Sequence, residues 1–182
     1  MSIFIFGNNI YKIHILQMFP TTSHRKKTEQ YITGGILKMN NTYISDSIKY
    51  IGVDDTDIDL FESQYIVPNG VSYNSYLILD EKNAVMDTVD ARKTDEWFSN
   101  LNSQLAGRNV DYLIISHLEP DHSSNIKNLI DKYPNVKLVL SAKAFAMLPQ
   151  FFDIENLSDR CLVVKDGDEL DLGSHKLKFI MA

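Results

Sequence analysis

Tyr112-Leu113-Ile114-Ile115-Ser116-His117-Leu118-Glu119-Pro120-Asp121-His122 decides how this chain is read. A compact apolar run over Val110 to Ser116 predicts a strand buried on both faces. Six residues dense in metal-type donors follow it, and a helix from Ser123 to Tyr133, stopped by Pro134, comes next. The carboxyl end of a strand entering a helix is where open α/β architectures place ligands. In an extended segment, residues at i, i+2 and i+4 point the same way. His117, Glu119 and Asp121 would then converge, Pro120 would keep the stretch extended, and the helix start would swing His122 toward the same point. Two imidazoles and two carboxylates form a mixed N/O set suited to iron, manganese or zinc, with no thiolate. The alternative is a polar loop in which Asp121 caps the helix from Ser123.

Working outward, strand signals precede this stretch at Ile48 to Val53, Phe61 to Val67, Tyr73 to Leu79 and Ala84 to Val89, a meander with turns at Pro68-Asn69-Gly70 and Asp80 to Asn83. Helical spacing covers Thr94 to Leu105, with Trp97, Phe98, Leu101 and Leu105 on one face and Gly107 as a stop. Beyond the helix ended by Pro134, a strand at Val136 to Leu140, a helix at Ala142 to Met147 and a strand at Cys161 to Val164 continue the alternation. A hairpin of Glu169 to Leu172 with Lys176 to Met181 closes it. Strand and helix alternating in this way predict an α/β architecture.

The 182 residues suffice for one domain, and 24 acidic against 18 basic residues give a net charge of -6. That sign argues against a polyanionic partner, so neither nucleic acid nor an anionic membrane is expected. Cys161 is the only cysteine, which excludes an internal disulfide and reads as a buried strand thiol in a reducing cytoplasm. The apolar start at Ile3 to Phe6 and Ile10 to Phe19 fails as a signal or span. Asn8, Asn9, Lys12 and His14 interrupt it, and no cleavage pattern precedes Ser23-His24-Arg25-Lys26-Lys27.

Residues 1–38 show no period long enough to define an element. Gly34-Gly35 can be encoded as GGAGG, and Ile36-Leu37-Lys38 then supply three A/T-rich codons before Met39, the spacing of a ribosome-binding site. The expectation is that residues 1–38 are translated leader and 39–182 the folded part, the alternative being a disordered extension. His14 and His24 fall in that stretch. His175, in the turn Gly173-Ser174-His175-Lys176, reads as solvated rather than as a ligand. Asp54-Asp55-Thr56-Asp57-Ile58-Asp59 reads as a solvated acidic turn, since Leu60 and Ile66 stand where a calcium loop needs its glycine and last carboxylate.

The H-x-E-x-D-H pattern at His117, Glu119, Asp121 and His122 resembles the metal motif of flavodiiron proteins. These are a branch of the metallo-β-lactamase-like fold, whose hydrolytic relatives carry H-x-H-x-D-H. Tyr73-Asn74-Ser75-Tyr76-Leu77-Ile78, Met86-Asp87-Thr88-Val89-Asp90 and Gly167-Asp168-Glu169-Leu170-Asp171-Leu172-Gly173 resemble the same family, in order, from Ile48 to the end. The resemblance implies an αβ/βα sandwich of which this is the first half. It implies His117 and Glu119 on one iron, Asp121 and His122 on the other, and reduction of nitric oxide or dioxygen with electrons from FMN.

It also implies two further histidines, a bridging carboxylate and a flavodoxin-like FMN domain beyond Ala182. A head-to-tail homodimer and a rubredoxin-type or flavin reductase donor follow from it too. Glu119 adds a negative charge and a hard donor, which favours ferric iron and redox cycling. Four ligands shared by two metals predict weak iron binding and no turnover by this chain alone, with exposed apolar surface favouring aggregation. Two alternatives remain: a zinc hydrolase of the same fold, and a non-catalytic fragment that binds a full-length partner.

Overall fold

The computed structural model describes residues 44–61 and 63–181, together with the strand pairing of Ser2–Phe6 and Ile10–Ile13. In chain order the strands begin with β1 (Ser2–Phe6), β2 (Ile10–Ile13), β3 (Ile48–Tyr50), β4 (Val53–Asp55), β5 (Leu60–Phe61) and β6 (Tyr65–Ile66). β7 (Val71–Tyr73), β8 (Tyr76–Ile78) and β9 (Ala84–Met86) lead into α1 (Thr94–Leu105) and β10 (Tyr112–Ile114). α2 (Pro120–Ser123), α3 (Ile126–Lys132), β11 (Lys137–Ser141), α4 (Ala142–Met147) and α5 (Leu157–Arg160) follow. β12 (Cys161–Val164), β13 (Glu169–Asp171) and β14 (Lys176–Ile180) close the series.

The central sheet has the order β12-β11-β10-β9-β8-β3. β9 to β12 run parallel and are joined through helices, whereas β8 and β3 are antiparallel to their neighbours. Side-chain alternation along each strand divides the interior in two. Leu77, Val85, Leu113, Leu138 and Leu140 face one way, and pack with Trp97, Leu101 and Leu105 of α1 and Ile126 and Leu129 of α3. Ile78, Ala84, Met86, Ile114 and Val139 face the other way, onto Leu170, Leu177 and Phe179 of the second sheet, whose order is β13-β14-β1-β2. The result is helices, sheet and sheet in three layers. It satisfies the expected α/β sandwich and explains why the predicted strands look apolar at every position.

Several expectations change in detail. The single strand predicted over Phe61 to Val67 is a two-residue hairpin, β5 with β6, turned around Ser63 at φ 58°. Tyr73 to Leu79 divides at Asn74-Ser75, so that β7 pairs with β4 and β8 joins the central sheet. Gly70 closes the approach to β7 at φ 73°. A Cβ there would lie 2.1 Å from the Asp55 carbonyl oxygen, so a side chain cannot be accommodated.

The acidic turn is not solvated throughout. Asp55 is fully buried, accepting from Tyr73 Oη at 3.2 Å and Arg92 Nε at 3.2 Å, with Lys93 Nζ 3.5 Å away. Phe98 is only partly buried, tilted against Trp97 at 4.8 Å and covered by Lys132 Nζ at 4.7 Å. Cys161 is half-buried on the edge strand β12, and burial pushes its thiol up to about 11.

Sequence patterning defines no element before Ile48, and this is corrected at β1 and β2. β1 pairs antiparallel with β14 and with β2. Ser2-Ile3-Phe4-Ile5-Phe6 is too short and too uniformly apolar to show a period by itself; pairing with a distant strand defines it. The proposed start at Met39, His14 and His24 lie outside the described residues. No helix among the described residues is long and apolar enough to cross a membrane.

Candidate metal centre

The donor-rich stretch sits at the carboxyl ends of the parallel strands β9 and β10. Glu119 has extended backbone (φ -64°, ψ 142°) and occupies the N-cap of α2, with Pro120 in its first turn. Pro120 therefore starts the helix rather than prolonging the extension, as its fixed φ suits a first helical position. Asp121 lies inside the helix and does not cap it, which removes the capping alternative. Its side chain is turned inward, 5% exposed, beside His122 at 4%.

The four donors stand as two pairs. His117 Nδ1 lies 3.7 Å from Glu119 Oε2 toward solvent, and His122 Nε2 lies 3.4 Å from Asp121 Oδ2 in the interior. The two imidazole rings link the pairs, with centroids 4.3 Å apart. Among the described residues, no group of three or more His, Cys, Asp or Glu side chains is set to hold a single metal ion.

Asp87 is the residue that sequence reasoning passed over. It follows β9 directly and is buried, with φ 53°, a left-handed conformation uncommon for a side-chain-bearing residue and concentrated at functional sites. Its backbone is fixed by its own N–H donating to Ile114 O at 2.9 Å and by Ser75 Oγ donating to its carbonyl at 2.8 Å. Ser75 in turn accepts from Trp97 Nε1 at 3.0 Å.

The Asp87 carboxylate spans two elements. Oδ1 accepts from Ser116 N at 2.7 Å, and Oδ2 lies 3.2 Å from His122 Nδ1, within ion-pair reach but without hydrogen-bond alignment. A carboxylate behind a ligating histidine fixes the ring's tautomer and aims its other nitrogen at the metal. The visible signal was an acid placed immediately after an all-apolar strand, at the same sheet end as the motif. The backbone of His122 is pinned as well, its carbonyl accepting from Thr88 N at 2.8 Å and Thr88 Oγ1 at 3.0 Å.

Electrostatics follow from burial. Desolvation raises the Asp121 carboxyl above the usual carboxylate range, only partly offset by His122 and His117. Burial opposes a charged His122 ring, but Asp87, Asp121 and Glu119 outweigh it, and the ring holds its proton above the ordinary histidine range. Without a cation, acid and base in this pair compete for protons.

The donors fit a metal on one further observation. Asp87 Oδ2, Ser116 Oγ, His117 Nδ1, Asp121 Oδ1 and His122 Nδ1 are the buried side-chain polar atoms left without a hydrogen-bond partner among the described residues, and all five lie on this motif and its support. Buried polar atoms are ordinarily satisfied; Asp87 Oδ2 and His122 Nδ1 face each other at 3.2 Å, which leaves His117 Nδ1 and Asp121 Oδ1 as the donor atoms a bound cation could satisfy. His175, expected to be solvated, is instead half-buried and hydrogen-bonded to Asp80 and Ser47, well apart in sequence from these donors.

A layered α/β fold with a histidine- and carboxylate-rich loop at the carboxyl ends of its parallel strands has the architecture of a β-lactamase-like domain. Residues 71–182 match the family model described as ODP family beta lactamase, and the chain belongs to that family. The flavodiiron protein FprA2 of Clostridium acetobutylicum is 36% identical over 140 residues, covering 76% of this chain and 34% of the relative. The anaerobic nitric oxide reductase flavorubredoxin of Vibrio vulnificus is 31% identical over 142 residues, covering 77% of this chain and 28% of the relative.

Among solved structures, rubredoxin oxygen:oxidoreductase from Desulfovibrio gigas aligns with a TM-score of 0.64 at 32% identity, over 73% of this chain and 33% of that one. The flavodiiron protein of Giardia intestinalis aligns at 0.69 and 27% identity, over 82% and 34%. The chain thus spans about a third of the length of the flavodiiron relatives it matches.

Proposed function

We propose that this chain is the part of a flavodiiron oxidoreductase that carries the first four iron donors, His117 and Glu119 for one iron and Asp121 and His122 for the other. The observation that carries the reading is the group of five unpartnered buried polar atoms around those donors. Bound there, an iron pair would supply electrons for the reduction of nitric oxide or dioxygen. The relatives' names support this substrate class, one being a nitric oxide reductase and another an oxygen oxidoreductase.

The chain's own residues prepare the place. Asp87 Oδ2 stands 3.2 Å behind the His122 ring at Nδ1, and Nε2 faces Asp121. Thr88 fixes the His122 backbone, and the turn at Pro120 separates an open pair of donors from a buried one. Glu119, where hydrolytic relatives of this fold have histidine, adds charge that favours ferric over divalent ions and so iron redox chemistry over zinc hydrolysis. An FMN domain, a rubredoxin-type or flavin-reductase donor, a head-to-tail dimer and a cytoplasmic setting belong to the same reading.

The test is anaerobic titration of the full chain with ferrous iron, with protein-bound metal measured by elemental analysis. Bound iron that falls at least tenfold in His122→Ala, with zinc bound more weakly than iron after oxidation, is the expected result. Metal content unchanged by His122→Ala would overturn the assignment, and a preference for zinc in both redox states would favour a hydrolase.

A further inference from the structure

Among the described residues, a second histidine constellation lies around His175, at the turn between β13 and β14. Its ring Nδ1 lies 2.6 Å from Asp80 Oδ2, and its Nε2 lies 2.9 Å from Ser47 Oγ. Asp80 is itself held by Glu81 N at 2.7 Å, Ser174 N at 2.9 Å and His175 N at 2.6 Å. Burial would raise its carboxyl, but these N–H donors and the His175 ring outweigh it and keep the group below the usual carboxylate range.

An ionised carboxylate only accepts hydrogen bonds, so in the neutral ring Nδ1 carries the proton and Nε2 presents its lone pair to the Ser47 hydroxyl. A hydroxyl within hydrogen-bond reach of an imidazole that is itself oriented by a buried acid is the arrangement that activates serine as a nucleophile. Three separate segments supply the three groups, and Ser47 is half-buried, so a small reagent reaches it.

We propose that Ser47 is an activated hydroxyl, with His175 as its base and Asp80 as the orienting acid, that accepts an acyl group from small activated esters. Ser47 Oγ forms a bond to the acyl carbon and the ester C–O bond breaks. The hydroxyl proton passes to His175 Nε2 and then to the departing oxygen, while Asp80 stays ionised. The assignment is independent of iron and of the reading above.

Ser45 supplies an internal control. Its Oγ lies 3.4 Å from Ser47 Oγ but accepts from Ile48 N at 3.0 Å, and among the described residues no imidazole is hydrogen-bonded to it. The experiment is treatment of the full chain with p-nitrophenyl acetate, followed by peptide mass mapping. The expected result is acetylation of Ser47 at least tenfold faster than of Ser45 or Ser72, with that excess lost in His175→Gln.

Equal rates at Ser45, Ser47 and Ser72 in the unmodified sequence would overturn the proposal and leave the trio as a structural tether. That comparison needs no variant, so a misfolded His175→Gln would not obscure it. An excess at Ser47 that persists in a folded His175→Gln chain would also overturn it.

Discussion

Asp87 joins the scaffold to the metal-binding loop with one side chain. Its Oδ1 caps the Ser116 N–H, and its Oδ2 faces His122. Asp87→Asn keeps an acceptor for Ser116 but removes the charge behind the imidazole. The expected outcome is a folded chain whose ferrous-iron affinity falls about 10–100-fold, the usual scale for losing a carboxylate behind a metal ligand, read by competition with a chromogenic chelator. Asp87→Ala should in addition lower stability by about 1–3 kcal/mol, because a buried N–H then loses its acceptor.

Sequence alone reached the four motif residues because their spacing is local. It did not reach Asp87, thirty residues upstream of Ser116 less one, because that relation exists only once β9 and β10 lie side by side. The same limit hid the partners of Asp55 and His175. Each sits in a turn that looks solvated in one dimension, and each is buried by residues tens of positions away.

At the scale of elements, strongly patterned segments were readable, the edge strand Cys161–Val164 included, whereas the helix predicted over Ser123 to Tyr133 is two helices, α2 and α3, and α5 carried no signal. α1 and α4 fall on their predicted bounds, since 3.6-residue spacing and clear stop signals belong to the helix itself. The strand predicted over Phe61 to Val67 failed because a short apolar run does not say whether it pairs with a neighbour or folds on itself. An interior strand and the edge strand beside it should also differ in energetic weight. Leu138 of β11 is fully buried between α-helices and sheet, whereas Leu162 of the edge strand β12 is 41% exposed. Leu138→Ala should cost about 2–5 kcal/mol, and Leu162→Ala about 1 kcal/mol or less, as denaturant midpoints would report.

Across the whole molecule, protons and metal act on the same few groups. The pKa of His122 is raised in the fold, so its contribution to stability is fully present below the unfolded value near 6.5 and is lost as pH rises through the higher folded value. The raised pKa of Asp121 acts in the same direction, because burying it ionised becomes costly as pH rises. Asp55 and Asp80 have lowered values, despite burial. Their contributions are present above 3.8 and disappear as pH falls through the folded values.

In the metal-free chain His122, Asp55 and Asp80 should together place the most stable range between roughly pH 4 and 6.5, tilted downward by Asp121 as pH rises above 3.8, with midpoints falling on both sides. Ferrous iron should reverse the alkaline arm, since a deprotonated His122 becomes a ligand. At iron a hundredfold above its dissociation constant the gain is about 2.7 kcal/mol, visible as a higher melting midpoint at pH 7.5 than without metal.

The candidate donors follow the carboxyl end of β10, while Trp97, Leu101, Leu113 and Leu138 belong to the closed apolar interior of the same layer. His117 and Glu119 remain partly open to solvent even with Asp121 and His122 enclosed. On the proposed reading, a cation would meet the open pair first and the enclosed pair afterwards, so the two solvent-facing side chains would set how fast the site can fill.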